Sequence, residues 1–128
     1  MAKPPQVSDA EWEVMTVLWD SSPRTAAEVV EALSTRTTWA PKTIKTLLGR
    51  LVKKGALRYK EEGNRYIYRP VFPREKYVEE ASKSFLDRVF DGKATPMLVH
   101  FVENADLSDD DLRDLKSILD RKKKQEGR

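Results

Sequence analysis

Lys42, Thr43, Thr46, Arg50 and Lys53 lie within twelve residues of one another. At about 100° per residue they share one side of a helix. Lysine and arginine can donate to phosphate oxygens or to guanine O6 and N7. Threonine offers a hydroxyl for hydrogen bonding and a methyl that suits the thymine C5-methyl. No acid interrupts the run from Trp39 to Gly55. A basic helix face is usually only solvated. Here the missing acids, the two threonines, a preceding helix and a basic hairpin after it favour contact with a polyanion. Catalytic and metal chemistry finds no comparable constellation. The chain has no cysteine and a single histidine, His100, so thiolate chemistry is excluded and a zinc site lacks ligands. Neither a nucleophile–base pair nor a glycine-rich phosphate loop is present, and the reading is of a non-enzyme without cofactor or metal.

The elements that must hold this face follow from periodicity. Ile44, Leu47, Leu48 and Leu51 form an apolar stripe on the opposite side of the same helix. Pro41 suits its first turn and Gly55 its left-handed end. Gly49 costs such a helix about 1 kcal/mol against alanine, which fits a place where no side chain can stand between helix and duplex. Upstream, Ser8 and Glu11 form a capping box, with Val7 and Trp12 as a hydrophobic staple. Trp12, Met15, Leu18 and Trp19 follow at helical spacing. A second helix opens at Thr25 and carries Ala26, Val29, Val30 and Leu33. Downstream, "ALRYKEEGNRYIYRPV" predicts two short strands joined at Gly63-Asn64. Their tyrosines, Tyr59, Tyr66 and Tyr68, read as cross-strand packing rather than base stacking. The order helix, helix, helix, hairpin is a winged helix-turn-helix.

Charge separates this segment from the rest. Arg36 to Arg69 holds ten Lys/Arg against two acids, a net +8, so the remainder carries −5 of the chain's +3. Lys45 and Lys54 therefore join the expected contacts to the nucleic-acid backbone. Trp39 could either cap the core beside the third helix or reach a phosphate with its indole N–H.

Pro70 and Pro73 mark a boundary, giving a DNA-binding domain over 1–72 and a helical domain over 73–128 with a fraying basic tail, "DRKKKQEGR". The second domain reads as three helices, with Gly92 ending the first, Thr95-Pro96 starting the next, and Ser108 and Asp111 capping the last. Tyr77, Phe85, Leu86, Val89, Leu98, Phe101, Leu112, Leu115 and Leu119 are more apolar surface than three short helices bury. A two-fold partner would cover it, so these residues are expected at a dimer interface. No run reaches the length of a membrane span. The opening "MAKPPQ" lacks the apolar segment of a signal peptide, which points to a cytoplasmic chain with a mobile tip.

"VSDAEWEVMTVLWD", "TAAEVVEAL", "WAPKTIKTLLGRLVKKGAL" and "YIYRPV" resemble the penicillinase-repressor family of bacterial winged-helix regulators, the BlaI and MecI type, over roughly residues 7 to 120. The resemblance implies a homodimeric repressor of β-lactamase or other resistance genes that binds a dyad operator in double-stranded DNA. It implies base contacts from Lys42, Thr43 and Thr46, and backbone contacts from Trp39, Arg50, Lys53 and the wing near Arg65. It also implies a membrane sensor-protease pathway that ends in cleavage of the second domain. The bond aligned with the family's Asn-Phe site is His100-Phe101. Position 40, often a capping residue in relatives, is Ala40. The alternative within DNA binding is release by a small ligand held among Tyr77, Phe85, Leu98 and Phe101. A module binding RNA, or one that is only structural, is the reading from a different class.

Overall fold

The structure is a computed structural model that describes residues 3–126. The elements are α1 (Asp9–Asp20), β1 (Arg24–Thr25), α2 (Ala26–Leu33), α3 (Pro41–Lys54), β2 (Leu57–Glu62), β3 (Arg65–Pro70), α4 (Arg74–Phe90), α5 (Ala94–Asn104) and α6 (Asp109–Glu126). The chain is mainly helical, with a β-hairpin wing. It divides into two compact units, one ending at Ser82 and one beginning at Lys83.

In the first unit, local sequence sets where the helices begin. Ser8 Oγ accepts from the Glu11 N–H at 3.1 Å while Glu11 accepts from the Ser8 N–H at 2.8 Å. Thr25 and Glu28 repeat this reciprocal pattern at the start of α2. Each box satisfies two backbone donors that the helix cannot. The end of α3 is equally defined. Gly55 takes a φ of 87°, its N–H donates to Val52 O, and the Ala56 N–H donates to Leu51 O at 2.9 Å. This double bond pattern closes a helix through a left-handed residue.

The hairpin turns on Gly63-Asn64, with Gly63 at a φ of 62°. A positive φ at the first central residue matches the right-handed twist of the flanking strands. The sheet has a third strand that periodicity does not reveal. β1 pairs antiparallel with β3, Arg24 opposite Tyr68 and Thr25 opposite Ile67, giving the order β1-β3-β2. The core lies between the helices and the sheet. Met15, Leu18, Leu33, Ile44, Leu48, Leu51 and Leu57 are its largest enclosed aliphatic side chains.

Tyr77 belongs to this core, which corrects both the expected boundary and its expected place in a dimer interface. It is 3% exposed and packs at 5.2 Å from the Trp19 ring and 6.1 Å from Phe72. The first turn of α4 is thus held by the aromatic side chains of α1, and the unit ends ten residues beyond position 72. Trp19 Nε1 donates to Phe72 O at 3.1 Å, while the Tyr77 hydroxyl is buried with no hydrogen-bond partner among the described residues. Burial pushes that phenol up to about 12.

In the second unit, Phe85 of α4 stacks against Phe101 of α5 at 6.2 Å. Ser108 and Asp111 cap α6 reciprocally. Of the tail expected to fray, the residues through Glu126 are helical, and Gly127 and Arg128 lie outside the described residues. Lysine and arginine are good helix formers, and their charge is favourable at the C-terminal end of the helix dipole. Of the expected mobile tip, Met1 and Ala2 lie outside the described residues. Gln6 is tied down, its carbonyl accepting from Lys54 Nζ at 3.1 Å.

Candidate nucleic-acid interface

Helix α3 has two faces of opposite character. Ile44, Leu47, Leu48 and Leu51 are buried, while Lys42, Thr43, Lys45, Thr46, Gly49, Arg50 and Lys53 are exposed. Burial of the stripe fixes the rotation of the helix, so the polar set has no choice of direction. Among the described residues, Lys42, Lys45, Arg50 and Lys53 enter no ion pair. Four cations on one helix without an internal counter-charge leave a surface suited to phosphates. Thr46 Oγ1 donates to Lys42 O at 3.0 Å. Its proton is used within the helix, which restrains the side-chain rotamer. Ala40 precedes the helix in extended geometry and makes no side-chain cap. A Cβ built on Gly49 would meet nothing within 4 Å, so nothing inside the chain requires glycine there.

Lys54 is engaged within the chain. Its ammonium bonds the carboxylate of Glu11 at 2.5 Å as well as the Gln6 carbonyl, joining the end of α3 to the start of α1. The pull comes from Glu11, whose side chain is 3% exposed and would otherwise be a buried charge alone. Burial pushes the Glu11 carboxyl up, but the Lys54 hydrogen bond, the Ser8 N–H and the Lys54 charge together hold it below its ordinary value. A signal for this tie is present in the sequence. Glu11, Met15 and Leu18 fall at i, i+4 and i+7, placing an acid on an apolar face. Arg36 pairs at the surface with Glu13 at 3.0 Å. Trp39 is half-buried against the core, so its ring braces the entry to α3.

Arg65 is exposed at the tip of the wing. Tyr59 lies opposite Tyr68 and 4.4 Å from Tyr66, as expected for cross-strand packing. In the second unit, Phe85 and Leu86 are half-buried, while Val89, Leu98, Phe101, Leu112, Leu115 and Leu119 are exposed. His100 and Phe101 lie in the middle of α5, where Asn104 Nδ2 donates to His100 O at 2.9 Å.

The family pattern described as "Penicillinase repressor" matches residues 7–121. The chain belongs to the penicillinase-repressor family. It is 45% identical over 123 residues to the penicillinase repressor of Bacillus licheniformis, covering 96% of each chain. It is 34% identical over 117 residues to the methicillin resistance regulatory protein MecI of Staphylococcus aureus, covering 91% of this chain and 95% of that one. The solution structure of the Bacillus licheniformis BlaI monomeric form in complex with the blaP half-operator is similar at 49% identity and a TM-score of 0.53, over 60% of this chain and 94% of that one. This penicillinase-repressor family is one of regulators, not enzymes. No helix among the described residues is long and apolar enough to cross a membrane.

Proposed function

We propose that this chain is a homodimeric repressor of resistance genes that binds a dyad operator in duplex DNA through α3 and the wing. The observation that carries the reading is the outer surface of α3, where cations without ion pairs flank two threonines and no acid intervenes. Lys42, Thr43 and Thr46 face bases. Lys45, Arg50, Lys53 and Arg65 hold phosphates, and Trp39 steadies the start of the helix. The half-operator bound by the similar BlaI structure supports duplex DNA over RNA as the partner.

The exposed apolar residues of α4, α5 and α6 are the surface that a second copy covers. Derepression follows cleavage at His100-Phe101 by a pathway that begins at a membrane sensor-protease. Exposing host cells to a β-lactam and weighing the repressor fragments tests that route. An intact chain alongside full derepression defeats it.

Two substitutions separate reading from holding. Thr46→Ala is expected to lose about 1–3 kcal/mol on operator DNA and less on random DNA. Arg50→Ala is expected to weaken both equally and to lower the salt slope by roughly one contact. Equal losses on both duplexes for Thr46→Ala would remove it from the base-reading set.

A further inference from the structure

Four ion pairs form among the described residues, and they differ in reach. Two are local: Asp20 with Arg24, four positions apart, and Asp110 with Arg113, three apart. The other two join distant parts of the chain, and both run from α1 to a flank of α3. Glu13 holds Arg36 in the turn before that helix, and Glu11 holds Lys54, its last residue.

The second tie is the more closely built. The enclosed Glu11 carboxylate accepts from the Ser8 N–H at 2.8 Å and from Lys54 Nζ. Lys54 Nζ also donates to the Gln6 carbonyl. The segment before α1, the first turn of α1 and the end of α3 therefore meet at one ammonium. A buried ion pair is often no more stabilising than well-packed apolar side chains, but it is directional. The leucine stripe fixes the rotation of α3 through contacts that have no direction of their own. The tie at Lys54 adds a point that the end of the helix cannot leave.

Lys42 and Lys54 are twelve residues apart, about 18 Å along a helix axis. Over that lever, a tilt of about 3° at the Lys54 end carries the first turn about 1 Å sideways. A hydrogen bond to a base edge is made only within a donor–acceptor range of about 0.5 Å. Phosphate contacts through flexible lysine stems survive such a shift. We propose that Glu11 is a positioning residue for DNA reading, setting the tilt of α3 through Lys54 and so the discrimination between target and random duplex. Glu11 is enclosed and acts without touching DNA. The proposal rests on the reading of α3 as the helix that faces bases.

The test uses the full chain as wild type, E11Q, K54M, K54R and V29A, with binding measured against salt well below the lowest Tm of the set. The ligands are a duplex selected by the wild type from a random library and a scrambled duplex of equal length. E11Q keeps an acceptor for the Ser8 N–H and removes the charge opposite Lys54. E11Q and K54M are each expected to lose about tenfold on the selected duplex, the scale of one base contact. Neither should lose affinity on the scrambled duplex or change the salt slope. K54R should keep the wild-type ratio of the two affinities. V29A opens the core at a fully buried residue of α2 and should lower Tm while keeping that ratio. An unchanged ratio in E11Q or K54M overturns the proposal, and should E11Q not fold, K54M decides alone. A loss of the ratio in K54R equal to that in K54M overturns it as well. So does an equal loss in V29A, which would make the effect one of stability only. A K54M loss shared by both duplexes, with a slope flatter by about 0.9, is the mark of one phosphate contact and would return Lys54 to the DNA backbone. A wild type that binds both duplexes alike would instead defeat the reading of α3 itself.

Discussion

Residues up to Ser82 build an enclosed apolar core, and residues from Lys83 onward do not. Among the described residues, every buried hydrophobic residue falls between Val14 and Tyr77, whereas α5 and α6 bury none. Both units use the same devices: reciprocal caps, left-handed residues at helix ends and apolar stripes at helical spacing. What differs is the number of directions from which a helix is covered. α3 is packed by α1, α2 and β2. α6 keeps Leu119 61% exposed, and α5 keeps Leu98 50% exposed. The first unit is finished by its own chain, while the second leaves exposed the apolar surface that the proposed second copy would cover.

The comparison breaks most visibly if the second unit is denied its partner. Leu115→Asp with Leu119→Asp is expected to leave a monomer by sedimentation. Operator affinity should fall roughly 10²–10⁴-fold as the two half-sites cease to be linked. Thermal unfolding of the first unit should stay where it was, because the substitutions touch none of its core. A dimer that survives both changes would place the interface elsewhere.

A smaller effect sharpens where the finished unit ends. A fragment 1–82 is expected to fold as a monomer, and a fragment 1–72 to be about 3 kcal/mol less stable, since it loses the aromatic plug of Tyr77. Equal denaturation midpoints for the two would return the boundary to position 72.

Smaller again is the tie between α1 and α3. Lys54→Met is expected to lower stability by about 1.5–3 kcal/mol, the scale of a hydrogen bond to a charged group. The loss should depend on pH with a defined sign. Glu11 titrates below its ordinary 4.5 in the folded chain, so its contribution is complete above that value and disappears as pH falls through the lowered one. Denaturation midpoints of wild type and variant should therefore lie apart at neutral pH and converge in acid. A constant gap across that range would mean that Lys54 stabilises by packing of its stem alone.

How much of this was legible beforehand depended on distance along the chain. The boxes at Ser8 and Thr25, the stripe of α3, the Gly55 terminus and the Gly63-Asn64 turn all depend on residues within a few positions of one another. Each was readable, and with them the winged helix-turn-helix and the outward set of α3. β1 was not, because two residues have no period and their strand identity comes from β3, over forty positions away. The burial of Tyr77 and the tie made by Lys54 were not legible for the same reason. An exposed role fits a tyrosine near a helix start or a lysine in a basic run. What overrides it is an aromatic pocket and a buried acid on α1, which only the assembled core brings near.

The two-residue link from α3 to β2 also limits how this sequence can change with time. Surface connections usually tolerate added residues, but Gly55 and Ala56 are both fixed, one by its left-handed φ and one by its bond to Leu51 O. A single added residue here would shift β2 by one place and turn every side chain over. The tyrosine of β2 would then face outward and its arginine inward against the core, leaving a buried cation with no partner. Viable length variants at this point should therefore arise in steps of two, or arrive with a matching change in β3. Substitution within β2, by contrast, leaves the frame intact wherever the new residue suits a strand.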